Sequence, residues 1–200
     1  MRKIVFVALI MVSTSIAVMS QGASVGLRAG MNLANVNYEA GSVTYEPDMK
    51  AGILAGLYVK AMFTDKIGIQ PEAYLSLQGF KLDLGTFGTL NQKLTYVNIP
   101  ILLRYNLIKF VNIHAGPQFG LLMSAKSKLG DVTTDVKDQL KSSDLNIAFG
   151  AGLDLPMGLS GGIRYNLGLS DISNDPSSVV STVKNKAFQV YIGYKLFGKD

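Results

Sequence analysis

The chain has 200 residues, no cysteine, a formal net charge of +5, only 16% charged residues and a mean hydropathy of +0.26. Soluble domains carry charge on roughly a quarter of their residues, so this chain is oily for its length. A mild basic excess is no nucleic-acid footprint, and the lack of cysteine excludes a disulfide framework.

The first residues read as an export signal. Met1-Arg2-Lys3 is a basic start, Ile4 to Val12 an apolar core, and Ser13 to Ser20 a small, polar end. That layout predicts a signal peptide over residues 1–20, because the apolar run is too short to cross a bilayer. Cleavage is expected between Ser20 and Gln21, leaving one domain over residues 21–200. Losing Arg2 and Lys3 takes the basic count from 19 to 17 against 14 acids, a net charge of +3. Beyond residue 20 no stretch approaches the ~20 continuous apolar residues of a spanning helix. In lipid every backbone polar group must be paired internally, so a hydrophobic exported chain without such a helix points to a closed β-barrel.

Strict alternation then marks the strands. In 24–35, Val25, Leu27, Ala29, Met31 and Leu33 alternate with Gly26, Arg28, Gly30, Asn32 and Ala34. The same period of two recurs in 67–78 and 111–124, and again in 145–155, 159–170 and 187–197. Two segments are less clean, the Gly/Ala-rich 51–62 and the Ile-Pro-Ile-Leu-Leu run inside 96–106. Ten or more alternating residues argue for strands with two chemically different faces. Eight strands are predicted near 24–36, 50–62, 66–82, 91–106, 111–126, 143–155, 159–170 and 186–197.

Three links are short (63–65, 107–110, 156–158) and four are longer (37–49, 83–90, 127–142, 171–185). Short and long links alternate, as in outer-membrane barrels with tight periplasmic turns and long outside loops. The expected fold is therefore all-β, an eight-stranded antiparallel up-and-down transmembrane barrel in the bacterial outer membrane. Within 131–141, Val132, Val136 and Leu140 recur at a spacing of four after Asp131, which predicts a short helix in the longest loop. Odd residues of 67–79 face lipid, so Lys81 and Asp83 also face out while Leu82 and Leu84 turn inward. Asn91, Lys93 and Thr95 match them on the next strand, placing the oily-to-polar boundary at one height.

By the same alternation the inward-facing charges are Arg28, Lys60, Glu72, Arg104, Asp154, Arg164 and Lys195, all toward the periplasmic ends of their strands. Further out the lumen is expected to hold mainly Asn, Gln, Ser, Tyr and Gly. Charges taken out of bulk water must be paired and hydrogen-bonded, so the seven are expected to form a structural network that fills the lumen. Five basic groups against two acids leave an anion site as the alternative. His114 is the sole histidine; a hydrolase or acyltransferase would need a nucleophile beside it, for which Ser76, Ser124, Ser160 and Glu72 are the polar-face candidates. None stands at a diagnostic spacing, and one His without Cys or an acidic cluster gives no metal site. Pro71, Pro100 and Pro117 fall inside predicted strands, where each removes a ladder donor.

Six blocks in order resemble the PorT-type outer-membrane β-barrel family. They are Gly26-Leu-Arg-Ala-Gly-Met-Asn-Leu-Ala-Asn35, Gln70-Pro-Glu-Ala-Tyr-Leu-Ser-Leu-Gln-Gly79, Tyr96-Val-Asn-Ile-Pro-Ile-Leu-Leu-Arg-Tyr105, Ala115-Gly-Pro-Gln-Phe-Gly120, Arg164-Tyr-Asn-Leu-Gly-Leu-Ser170 and Val190-Tyr-Ile-Gly-Tyr-Lys195. The resemblance implies a small membrane barrel over the whole mature chain. The family's namesake is tied to a protein secretion system, a role that fold likeness does not transfer. Barrels of this class commonly end on an aromatic residue, whereas Gly198-Lys199-Asp200 follow Phe197 here.

The function expected from all this is a non-enzymatic barrel with a plugged lumen and no cofactor. Its partners would be outer-membrane lipid and a protein met at the exposed loops. Small-solute binding or a narrow pore is the alternative, and a lipid-modifying enzyme a distant third.

Overall fold

The computed structural model describes residues 22–40, 43–174 and 182–198. The predicted signal peptide, the tip of the first long loop and much of the last lie outside the described residues. The elements are β1 (Ala23–Ala40), β2 (Val43–Tyr45), β3 (Asp48–Met62), β4 (Ile67–Asp83), β5 (Thr89–Ile108), β6 (Val111–Leu129), β7 (Val132–Asp135), β8 (Ser143–Asp154), β9 (Leu159–Gly168) and β10 (Thr182–Gly198). Eight of them form a ring in which each antiparallel pair is made by successive strands, and β10 closes on β1. No helix among the described residues is long and apolar enough to cross a membrane. Strands do the crossing.

β2 and β7 are short additions that pair with β1 and β6 outside the ring. β7 stands where the sequence predicts a helix. Val132 to Asp135 folds back on β6 as a hairpin, followed by a single 3-10 turn at Lys137–Gln139. The spacing of four misleads because Val132 is 69% exposed while Val136 and Leu140 pack downward on the barrel. β-branched Val132, Thr133 and Thr134 suit a strand better than a short helix, and continuing the β6 ladder needs no nucleation.

Besides one at Asn106/Ile108 by the short turn, three local shifts of register decide which way side chains point. Met123 is an extra residue between the pairs Tyr96↔Leu122 and Thr95↔Ser124. It flips the face of everything beyond it, so Ala125 is buried beside the already inward Leu122, while Ser124 joins the outer wall beside Thr95. Ser124 is thus no lumen residue, contrary to simple alternation. At the seam, Leu196 is the extra residue between Val25↔Phe197 and Gly26↔Lys195, and it turns Phe197 outward, 65% exposed to the membrane side. The third shift lies in β3, between Met49 and Leu54. The β4–β5 register, in contrast, runs from Ile67↔Tyr105 to Asp83↔Thr89 without a slip, so the oily-to-polar boundary on that hairpin falls at one height. Leu82 is half-buried, but Leu84 sits exposed in the tight turn instead of pointing inward.

The prolines follow a rule. Beside Pro71 the β3–β4 ladder skips from Tyr58↔Glu72 to Ala61↔Ile69. Beside Pro100 the β4–β5 ladder skips from Pro71↔Ile101 to Tyr74↔Asn98, and beside Pro117 the β5–β6 ladder skips from Pro100↔Gln118 to Leu103↔Ala115. Each missing donor therefore faces the preceding strand, while pairing on the other side continues. The three gaps step across adjacent strands around Glu72, not at a rim.

Apolar residues form the outer band, among them Leu75, Leu103, Phe149, Ile163 and Ile192. An apolar recess of about 660 Å³, flanked by Tyr105, Phe149 and Tyr165 over a floor of Ala115, Gly150 and Ala151, opens on this wall toward lipid. Short turns at 63–66, 109–110 and 155–158 share one end of the barrel with both of its terminal strand ends. By the connection rule that end is periplasmic. Cysteines placed at Gly85 and Gly130 should react with a membrane-impermeant thiol reagent in whole cells, and cysteines at Thr64 and Met157 should not. Labelling of the second pair in intact cells would invert the topology.

Candidate functional site

Inside the barrel, alternation brings residues of β1, β4 and β9 onto one acid. Glu72 of β4 is 1% exposed. Arg164 of β9 grips it from across the lumen, Nη1 donating to Oε2 and Nη2 to Oε1, both at 2.8 Å. Arg28 of β1 donates to the same Oε1, and so does Gln70 Nε2 at 2.7 Å. A two-point Arg–carboxylate pair is the geometry that best offsets desolvation. The ring of Tyr191 on β10 lies between the two cations, 3.8 Å from the Arg28 guanidinium carbon and 5.2 Å from that of Arg164. Glycines make room for these large groups. A Cβ on Gly162 would stand 2.5 Å from the Tyr191 hydroxyl, and one on Gly26 would stand 2.4 Å from the Tyr58 ring.

A second centre sits closer to the periplasmic mouth. Arg104 pairs with Asp154, donates to Gln70 Oε1 at 3.0 Å, and donates to Asn106 Oδ1 at 3.1 Å. Lys60 Nζ is 3.9 Å from Asp154 Oδ2. Gln70 therefore bridges the two centres. Six of the seven predicted charges meet in these two groups. Lys195 lies half-buried next to Gly26 and the turn at Gly158. Between the two centres the enclosed space is only about 10 Å³, enough for one water.

Above Glu72 the lumen is polar, as alternation predicts. Tyr74 donates to Gln118 Oε1 at 2.7 Å and accepts from Gln189 Nε2 at 3.3 Å. Asn185 Nδ2 donates to Asp144 Oδ2 at 2.8 Å and to the Tyr96 hydroxyl at 3.2 Å.

The outer end is different from the expected Asn, Gln, Ser, Tyr and Gly. It is closed by two apolar clusters. Val136 and Leu140 pack on Leu94, Tyr96, Leu122 and Ala125. Ile172, with Val183 and Tyr38, packs on Val36 and Phe80. Both clusters depend on loop residues that a sequence reader assigns to solvent. The signal was present, since apolar residues in a polar loop need somewhere to go, but the Met123 bulge that exposes their docking face is invisible to periodicity.

The two loops are latched to each other. Lys141 N donates to Ile172 O at 2.8 Å, Asn174 N to Gln139 O at 3.0 Å, and Leu140 bridges Ser173. The Asp171 carboxylate accepts from Lys141 Nζ at 2.8 Å, from Val183 N at 2.8 Å and from Ser173 N at 3.0 Å. Burial pushes this carboxyl up, but the hydrogen bond from Lys141 and the two amides outweigh it and hold it below the usual carboxylate range. Because the folded-state value is depressed, the contribution is complete at neutral pH and fades as pH falls through that lowered value. Asp171→Asn should loosen the cap at neutral pH, read as faster tryptic cleavage after Lys137 and Lys141. An unchanged cleavage rate would show that the apolar clusters hold the loops unaided.

His114 has both ring nitrogens engaged. Nδ1 is 3.1 Å from Asn112 Oδ1, and Nε2 lies 3.4 Å from Arg164 Nε, which can donate to it. Of the serines considered beside it, Ser76 Oγ accepts from Asn32 and Gln78, Ser160 Oγ has no hydrogen-bond partner among the described residues, and Ser124 is on the outer wall. No group of three metal-ligating side chains exists among the described residues.

Residues 19–174 match the family described as outer membrane protein beta-barrel domain. No curated protein matches the chain in sequence. Among solved structures the fold is similar to Ail, the attachment invasion locus protein of Yersinia pestis, at 13% identity and a TM-score of 0.51, covering 88% of this chain and 99% of that one. It is also similar to Neisserial surface protein A, at 14% identity and a TM-score of 0.54, again covering 88% and 99%. Identities this low speak for the fold alone.

Proposed function

This chain belongs to the outer membrane protein beta-barrel domain family, and from that membership and the lumen geometry we propose a closed, non-enzymatic barrel of the bacterial outer membrane that acts through its outer loop face. The observation that carries closure is the double seal, ion clusters around Glu72 and Asp154 below and apolar clusters around Val136 and Ile172 above. An eight-stranded lumen is just wide enough to be filled by side chains, and here long ones fill it. The seven inward charges serve as structure, with Lys195 at the edge of the network. His114 is a lumen-packing residue whose ring nitrogens are already engaged, which supports the non-catalytic reading.

With passage closed, what remains available to partners is the latched outer cap, where Val132 and Tyr45 are exposed. Its order favours a protein partner, since a latched platform loses little entropy on docking. The six sequence blocks support a place near the PorT-type barrels, without a secretion role. Residues 1–20 are proposed to direct export and be removed.

The test of closure is conductance in a planar bilayer. The purified barrel should pass no stable single-channel current, and regular current steps would overturn the plugged reading in favour of a narrow pore. Photo-crosslinkers at Val132 and Tyr45 in intact envelopes should trap one protein species, whereas crosslinks to lipid alone would remove the partner from the proposal.

A further inference from the structure

Five lysines gather on one side of the outer wall, directly beyond the oily band of β4, β5 and β6. The last lipid-facing row there is Leu77, Thr95 and Ser124, joined by direct pairing. The next row is Gly79, Lys93 and Lys126, and the one beyond is Lys81, Asn91 and Lys128. Lys50 of β3 crosses above Gly79 and donates to Asn91 Oδ1 and, at 2.8 Å, to Gln92 O. Successive rows on one face are ~7 Å apart along a strand. The head-group layer beyond the hydrocarbon is ~5–8 Å deep on each side of a bilayer. The lysines therefore stand at the height of the outer-leaflet head groups.

The patch carries an excess of positive charge, five lysines against three flanking acids, Asp48, Asp83 and Asp135. Lys93 and Lys126 are directly opposite one another, an arrangement that destabilises a sheet, and in a closed barrel no free edge needs blocking by charge. Lys81, Lys93, Lys126 and Lys128 are exposed, and none makes an ion pair among the described residues. The flanking acids offset part of this charge without forming ion pairs to the four exposed lysines. Asp135, opposite Lys126, accepts from the Lys137 amide at 2.9 Å, and Asp83 accepts from the Gly85 amide at 2.9 Å. Asp48 lies opposite Lys81 without pairing to it.

We propose that this patch binds the phosphate groups of an outer-leaflet glycolipid, with Lys93 and Lys126 on a phosphate at the membrane edge and Lys81 and Lys128 on anionic groups further out. The acyl chains of the same lipid would lie against the exposed Leu77, Leu75 and Leu121 below. A head-group phosphate meets this requirement because it is anionic, is held at this height by its own chains, and needs no pocket. Lysine, a flexible point charge, suits such a target.

The test uses the full mature barrel, folded in detergent micelles seeded with diphosphorylated lipid A or with its dephosphorylated form, and mass spectrometry of lipid retained after exchange. Wild type should retain the diphosphorylated form preferentially. Lys93→Gln with Lys126→Gln should reduce that retention by about fivefold per lysine removed, while Lys66→Gln with Lys109→Gln, on the periplasmic turns, should leave it unchanged. Folding of each variant is verified by its heat-dependent shift on a semi-native gel. Equal retention of the two lipids, or full retention by the outer-wall variant, would overturn the proposal. Side-chain NMR signals of Lys93 and Lys126 should shift with lipid A and not with inorganic phosphate. Equal shifts with both would make the patch a free-phosphate site and overturn the glycolipid assignment.

Discussion

Glu72→Gln is expected to cost ~3–5 kcal/mol of folded stability, the range for deleting one member of a buried ion pair. The change is nearly isosteric, so it leaves no cavity and tests charge alone. It would strand Arg28 and Arg164, whose side chains are 5% and 0% exposed, without their shared anion. It would also set an amide nitrogen where one carboxylate oxygen now accepts, facing donors from Arg164, Arg28 or Gln70. The readout is the temperature at which the folded band disappears on a semi-native gel. Asp154→Asn is the informative comparison. Its side chain is 27% exposed, so water can solvate Arg104 and Lys60 after the change, and its cost should be clearly smaller. The Glu72→Gln and Arg164→Gln effects should be strongly non-additive, because each removes the same contact. If Glu72→Gln melts like wild type, the lumen charges are solvated and the plug loses its main support.

The proline steps bear on the same centre. Pro71, Pro100 and Pro117 leave three adjacent ladders short of bonds around Glu72. That part of the wall is held less by backbone pairing than the rest, so the cross-lumen ties from β4 to β1 and β9, and from β3 and β5 to β8, take a larger share of holding it in place. The sequence identifies both the prolines and the charges, but their coincidence emerges only when the register aligns Pro71 with Ile101 and Pro100 with Gln118.

What sequence reveals and what it hides divides along a physical line. A period of two is enforced by the pleat, so where both faces are chemically distinct it places Glu72, Arg164, Arg28 and Arg104 in the lumen without further information. One inserted residue defeats it. Met123 and Leu196 are apolar like their neighbours, and nothing marks them as bulges, so Ser124 is misplaced and the outward turn of Phe197 goes unseen. The cap is hidden for a related reason. Val136, Leu140 and Ile172 are single apolar residues in loops; the first two are buried against Leu122 and Ala125, the third against Val36, Phe80 and Val183. A pairwise tertiary fact of that kind has no local signature. The predicted helix fails because spacing alone cannot tell a helix face from a strand followed by a turn.

The membrane face is the second place where a large effect is expected. Leu75, Ala55, Ala29 and Ile192 form one continuous row through direct pairing across β4, β3, β1 and β10. Leu75 and Ile192 present 55% and 70% of their surface to the membrane side. Arginine at Leu75, Ile192 or Ile147 should cost ~2–4 kcal/mol if the row lies near the bilayer midplane, falling toward zero at the interfaces. Lys81→Arg and Lys93→Arg keep charge where charge already stands and should be within ~0.5 kcal/mol of wild type. Denaturant titration of the barrel refolded in vesicles measures both sets. A loss as large at Lys93 as at Leu75 would place the oily-to-polar boundary beyond the lysine rows and pull them into hydrocarbon. Four lysines without ion-pair partners cannot sit there, so the same measurement that locates the membrane also decides whether the lysine patch stands among head groups.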